Sequence, residues 1–463
     1  MSSIIKNRLL RDAVRAVLPI ELRRKLADRY FEYQEQRELH KYREELRNPE
    51  LETTLEDGFL RIYMTYRCNA RCRFCDHYTL KRPEVDPKLL YEYLPPLLGR
   101  LKIVGLVGGE VTISPETMKF CGFLSENYPQ VTVQMESNGI AFNEEFRELA
   151  AEHLFRMHFS VNAPDEASFG RHVWEGKGGS AAYGRAAANI RQYVELLSRR
   201  GRTVFGPSVS MVVSHDHTVR EVLDFLKLSL EYQAQQCGFY LNHLETGSGN
   251  KLSTEISYSS DILRTLMEVE RVLRDRYFIT FRLMQPPSFD SLQHEVDAEP
   301  IEALNRKYAD VLAAAKGRDI HAEYLERCRI RTSCGKKLLT LEEDFCPTLH
   351  LEKVAGQDIC FAPWKELDIS TDGRIAQCGW MPIPNFLNVC DFVRDGRVDW
   401  NEVLNHPRHK LIRLRMLKGD YRYCMPSCQM NPMFHPVVAC LRGGTVCRNI
   451  LLSDGNRGGN NRI

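Results

Sequence analysis

The chain is short of several things, and each shortage excludes a class of function. Net charge is nearly absent: 63 Lys and Arg stand against 61 Asp and Glu in 463 residues, a formal +2, so no global field favours a nucleic-acid partner. No apolar run approaches the ~20 residues that a helix needs to cross a bilayer, which predicts no transmembrane segment. The charged, apolar and small-residue succession of a secretory signal is also missing. Small secreted domains stapled by disulfides are dense in cysteine for their size, and this chain is too long to be one. The expectation is a cytoplasmic protein. Against these absences stand fifteen cysteines, an odd and large number that in a reducing compartment reads as thiolates used for metal. The length allows two or three domains.

Three of the cysteines stand together in Cys68-Asn69-Ala70-Arg71-Cys72-Arg73-Phe74-Cys75. They follow Phe59-Leu60-Arg61-Ile62-Tyr63-Met64-Thr65, a run of alternating character that predicts a strand. The thiolates therefore leave a strand on one short loop, close enough to converge on a soft metal centre. A [4Fe–4S] cluster held by three thiolates keeps one iron open to a ligand. The octapeptide alone also allows a zinc knuckle with His77 as fourth ligand, disulfides, or unrelated buried thiols.

From Phe59 onward strands alternate with helices. Lys102 to Val107 is an apolar run ending in Gly108-Gly109-Glu110, where glycines permit close backbone approach and a carboxylate can meet an ammonium. Val131 to Glu136 ends in Ser137-Asn138-Gly139, and Met157 to Asn162 carries Ser160 and Asn162 at its end. Ser208 to Val213 and Gly238 to His243 complete six strands, with helices expected over Pro87–Leu98, Glu116–Asn127, Glu144–Glu152, Ala181–Arg199 and Val219–Tyr232. Six βα units imply parallel strands with helical crossovers, and every motif named falls at a C-terminal strand end, where barrels gather their chemistry. A loop with Arg171, His172, Trp174 and Gly176 to Gly179 can cover that face or be plain surface.

Residues 1–48 read as two helices meeting at Pro19. Eight basic residues against three acidic ones in residues 1–29 suit a membrane surface, an acidic partner, or, as the favoured reading, a helix packed on the barrel with a solvated basic face. Residues 254–345 read as mainly helical, with Phe278 to Leu283 as a strand between. From Cys360 a hairpin is expected, Lys365 to Ser370 and Ile375 to Cys378 joined at Asp372-Gly373. It brings Cys360 toward Cys378, and Cys424 with Cys428 makes a second pair. Four thiolates in two pairs describe a closed site for zinc or a cluster.

Together these motifs resemble the radical SAM superfamily with a C-terminal SPASM or twitch extension, a resemblance spanning roughly residues 58–448. It implies a partial (β/α)6 TIM-like barrel: an N-terminal helical extension over 1–57, the barrel over 58–285, a helical connection over 286–350, the auxiliary-cluster domain over 351–448 and a disordered tail over 449–463. It implies that Cys68, Cys72 and Cys75 hold a [4Fe–4S] cluster whose fourth iron binds S-adenosylmethionine (SAM). Phe74, Gly108, Gly109, Glu110, Ser137, Asn138, Ser160 and Asn162 would surround that ligand. One auxiliary [4Fe–4S] cluster would be held by Cys360, Cys378, Cys424 and Cys428. The chain departs from a full SPASM pattern by lacking four closely spaced cysteines after the hairpin. A second auxiliary cluster on Cys346, Cys390, Cys440 or Cys447 is the lesser expectation, while Cys328 and Cys334 read as bland thiols.

The implied reaction is reductive cleavage of SAM to a 5′-deoxyadenosyl radical, fed by a flavodoxin or ferredoxin, and hydrogen abstraction from substrate. A small or carbohydrate-like substrate is favoured, because the N-terminal segment is too short and helical for a peptide-binding winged-helix module. A ribosomal peptide substrate is the alternative, and a non-catalytic zinc scaffold the competitor of another class.

Overall fold

Alternating apolar residues on the strand-forming runs dictate a sheet with one face to helices, and the chain builds it. The computed structural model describes residues 20–75, 82–174, 178–213, 216–241, 260–282, 289–345, 351–354, 357–378 and 387–421. Its frame is seven parallel strands: β1 (Phe59–Thr65), β2 (Ile103–Gly108), β3 (Thr132–Ser137), β4 (Arg156–Ser160), β5 (Ser208–Val213), β6 (Gln236–Leu241) and β7 (Phe278–Arg282). The six expected strands are present to within two residues. The Phe278 run adds a seventh, paired in parallel with β6.

Residues of one parity, including Ile62, Met64, Leu106, Met135, Phe159, Met211 and Phe239, form a single core with the crossover helices. Those helices are α2 (Pro115–Asn127), α3 (Glu144–Glu152), α4 (Gly179–Arg199), α5 (Val219–Glu231) and α6 (Ser260–Leu273), following α1 (Ile20–Lys41). The segment read as a helix from Pro87 splits into a π-helical turn, Leu89–Tyr93, and a short α-helix, Pro95–Leu98. The rings of Pro95 and Pro96 have no N–H to continue the earlier turn.

The other parity faces the concave side, and register sets its rungs. Arg61, Gly105, Gln134 and Arg156 lie side by side, as do Glu136, His158, Ser208 and Gln236. Barrel interiors are normally filled by branched apolar side chains; this one is polar.

The N-terminal ends of the strands are closed by α7 (Ile320–Ser333) and α8 (Leu341–Phe345). Arg156 donates to the carbonyls of Glu343 and Asp344, and Lys336 donates to the carbonyl of Val131 at 2.9 Å. Asp344 accepts from Arg327 and Arg331 at 2.6 Å each, all three buried. The two guanidinium charges, stronger than the burial that opposes them, hold its carboxyl well below the usual range.

After β8 (Leu351–Val354) and β9 (Gln357–Cys360) comes the expected hairpin, β10 (Glu366–Ile369) with β11 (Arg374–Ala376). The strand starts one residue later than expected, because Ala362–Lys365 forms a helical turn with Pro363 near its start. The hairpin does not stand apart from the barrel. β10 pairs in parallel with β1, Arg61 opposite Asp368, and β12 (Leu387–Asn388) closes that edge.

The N-terminal segment is helical over α1 within the described residues, and α1 packs on α9 (Pro407–Leu417) of the C-terminal region. Its acidic residues meet basic ones there: Arg408 pairs with Glu35 at 2.9 Å, Arg415 with Glu38, and Lys418 with Glu45 beyond the helix end. Residues 1–19, which carry most of the basic excess, lie outside the described residues, as does the tail read as disordered. Among the described residues no helix is long and apolar enough to cross a membrane.

Candidate functional site

The site grows from the end of β1. Thr65 to Arg67 meet the end of β2 at very short range: Gly109 N donates to Thr65 O at 2.8 Å and Glu110 N to Arg67 O at 2.8 Å. A Cβ on Gly108 would lie 2.1 Å from Thr65 O, and one on Gly109 2.1 Å from Arg67 O; Gly108 also has φ +148°. The two glycines are therefore required, but what approaches them is the chain's own cluster loop.

That loop places Cys68, Cys72 and Cys75 half-buried near one another. Cys75 N donates to Cys72 O at 3.1 Å, and Ala70 N donates to Cys68 Sγ at 3.4 Å. Burial pushes the Cys68 thiol up to about 11 and that of Cys72 higher still, and the three sulfurs and Glu110 repel charge from one another. Burial and neighbouring acidic groups disfavour the free thiolates of Cys68 and Cys72, and a bound metal would favour them. This donor set fits a cluster with three protein ligands. Around it lies an apolar nest of Ala70, Ala163, Phe169, Val173 and Trp174, against which Cys68, Cys72 and Phe74 pack. The Trp174 segment lies on the cluster loop, Trp174 bridging to Cys72 and Val173 O accepting from Arg73 N at 2.9 Å. Residues 175–177 of that loop lie outside the described residues.

The structure gives several residues expected at SAM a positional task. Glu110 is fully buried. Its Oε1 accepts from Thr112 N (3.1 Å), Thr112 Oγ1 (2.6 Å) and Ser137 Oγ (2.7 Å), and its Oε2 from Asn138 N (2.6 Å). Burial raises its pKa while those donors lower it. Glu110 thus clamps the β2 turn to the β3 turn, and an incoming ammonium would share it with these donors. Asn138 donates to Asn69 Oδ1 at 2.7 Å and toward Cys68 Sγ at 3.8 Å, tying the β3 turn to the cluster loop. Asn162, at φ +64°, donates to Ser160 O at 2.8 Å and accepts from Val212 N at 3.0 Å. Its amide joins β4 to β5.

Cys360 and Cys378 are both buried in one small cluster with Ile412 and Met416 of α9 and with Tyr421. Cys424 and Cys428 lie outside the described residues, as do Cys346, Cys440 and Cys447. Cys390 is exposed.

Motif reading missed the concave face. Arg61 donates to both oxygens of Asp368, at 3.1 and 2.9 Å; His158 Nε2 lies 2.9 Å from Ser210 Oγ; Gln236 donates to Thr280 Oγ1 at 3.0 Å. The signal was present as polar residues recurring at every second position of the strands.

Comparison with known proteins places this geometry. Residues 62–229 match the Radical SAM superfamily. That segment is similar to the radical SAM family. It contains the three cysteines, the Gly108-Gly109-Glu110 turn and the ends of β3 to β5. The FeMo cofactor biosynthesis protein NifB of Methanocaldococcus jannaschii is 26% identical over 197 residues, 36% of this chain and 64% of that protein. GTP 3′,8-cyclase of Paenarthrobacter nicotinovorans is 24% identical over 117 residues, 24% of this chain and 33% of the cyclase. The chain therefore spans less than two thirds of either relative. Among solved structures, Streptococcus suis SuiB bound to S-adenosylmethionine aligns over 82% of this chain and 75% of SuiB, at 13% identity and a TM-score of 0.49.

Proposed function

We propose that the protein is a radical SAM enzyme that takes a hydrogen atom from a small, polar, carbohydrate-like substrate held inside the barrel. The observation that carries this reading is the convergence of Cys68, Cys72 and Cys75 on one short loop at the end of β1, inside the matched segment. Cys68, Cys72 and Cys75 would hold a [4Fe–4S] cluster. When bound, that cluster supplies the electron that cleaves SAM, and the resulting deoxyadenosyl group draws hydrogen from substrate. The chain's own residues do the rest. Phe74, Trp174 and their apolar neighbours keep water from the reacting atoms. Gly108 and Gly109 bring the β2 turn against the cluster loop, and Glu110 holds the β2 and β3 turns in register. Ser137, Asn138, Ser160 and Asn162 line the strand ends where the nucleoside and amino-acid parts of SAM would lie.

An auxiliary [4Fe–4S] cluster on Cys360, Cys378, Cys424 and Cys428 belongs to the same proposal, supported by the shared burial of Cys360 and Cys378. A low-potential donor of the flavodoxin or ferredoxin type would feed the first cluster. Anaerobic reconstitution followed by iron and sulfide analysis tests the whole. Wild-type protein is expected to release 5′-deoxyadenosine from SAM and reductant, and joint replacement of Cys68, Cys72 and Cys75 by Ala to abolish it. Replacing Cys424 or Cys428 should lower iron content while leaving uncoupled cleavage. Zinc without iron would instead make the chain a scaffold.

A further inference from the structure

The concave face of the sheet carries a site that the cluster chemistry leaves unused. At its centre Glu136, on an interior strand, remains exposed although strands flank it on both sides. Among the described residues that carboxylate is left open to a ligand. Glu136 is near enough to act on both Arg61 and Asp368, but these two already pair with each other. Glu366 lies on the same face one rung lower and adds to the negative field on Arg61. Arg156 on this face is drawn to the carbonyls of the floor, and Arg374 on β11 pairs with Asp372. Glu136 thus offers a carboxylate to the lumen, with hydrogen-bonding groups on its far wall: His158 and Ser210, and Gln236 with Thr280. Deeper on β3, Thr132 is 0% exposed, and its Oγ1, like Gln134 Oε1, has no hydrogen-bond partner. Buried polar atoms are ordinarily satisfied, so these point to a polar occupant.

We propose that this lumen binds a cation-bearing polyol, an amino sugar or amino alcohol whose ammonium meets Glu136 and whose hydroxyls meet the groups around His158 and Gln134. The inference rests on the radical SAM reading and narrows its substrate. Geometry joins the two: Glu136 directly precedes Ser137, whose hydroxyl is bonded to Glu110, so an occupant held by Glu136 lies immediately beneath the turn expected to hold SAM. With α7 and α8 bonded across the N-terminal ends of the strands, a ligand would enter from the C-terminal ends.

The test uses full-length, anaerobically reconstituted protein with SAM present and three probes of one size: D-glucosamine, D-glucose and D-glucuronate. Calorimetry should give tightest binding for glucosamine, at least tenfold weaker binding for glucose, and weakest for glucuronate. Glu136→Gln should erase the preference for the amine, and Glu136→Asp should keep its order. Glucuronate binding as well as glucosamine, a preference surviving in Glu136→Gln, or none of the three binding while SAM still binds would each overturn the proposal. N-acetyl-lysine methylamide binding more tightly than glucosamine would overturn it in favour of a peptide side chain. Failure of wild-type protein to bind SAM at all would instead sink the reading on which it rests, so the two failures are told apart.

Discussion

Asp368 sits buried opposite Arg61, and burial pushes its carboxyl up to about 6 even though Arg61 pulls it down. A carboxyl raised on folding stabilises most below its unfolded pKa, and that contribution fades as pH rises through the folded value. Between about pH 4 and pH 6 the protein should thus lose roughly 3 kcal/mol that a neutral side chain would keep. Asp368→Asn should give a flatter profile of melting temperature against pH over that window, displaced downward throughout because Arg61 loses its partner. A parallel profile in variant and wild type would show that Asp368 is ionised across the range. Residues differed in how readable they were. Cys68, Cys72 and Cys75 announce themselves by spacing, because three ligands on one loop must be close in sequence. Asp368 and Arg61 stand 307 residues apart, and no local pattern couples them.

At the scale of elements, the strand-to-turn junctions decide whether the cluster loop has its shape. Gly109→Ala forces a methyl group to within 2.1 Å of Arg67 O, backbone against backbone, and the loop carrying Cys68 must move. Strain of this kind costs on the order of 1–3 kcal/mol, and iron retained at the first site should fall with deoxyadenosine release. Gly122→Ala is the control. Gly122 lies inside α2 with nothing near its missing Cβ, so the same change there should stabilise by about 1 kcal/mol and leave iron unchanged. Equal effects at the two positions, read by iron assay and thermal unfolding, would remove the special standing of the β2 turn. The strands were readable because each carries a local signal of its own, alternation in β1 and a continuous apolar run in β2. The split of the Pro87–Leu98 segment and the separate helices Ile301–Lys307 and Ala309–Ala314 were less so, because packing rather than pattern sets where short helices stop.

For the whole molecule, the decisive feature is that the sheet does not end where the barrel was expected to end. The C-terminal cysteine region reads from sequence as a separate domain over 351–448 following a partial barrel, and on that reading a chain ending at residue 350 should fold and hold its first cluster. The pairing of β10 with β1 argues otherwise. Removing β10 leaves the β1 edge without a partner, and an unpaired interior edge invites aggregation. It also strips Arg61, only about a tenth exposed, of Asp368; breaking such a buried pair by removing one member costs about 3–5 kcal/mol. The same cut removes α9, where Arg413 donates to the carbonyls of Leu51, Pro363 and Leu404 and so binds the approach to β1 to the C-terminal region. The truncated chain is expected to be poorly soluble and to retain little iron after reconstitution. Adding Arg61→Met should recover part of its solubility by removing the stranded charge, without restoring iron. If the truncated chain instead stayed monodisperse and released deoxyadenosine at the wild-type uncoupled rate, β10 would be an ornament on an independent barrel, and the C-terminal region would be free to act as a separate domain.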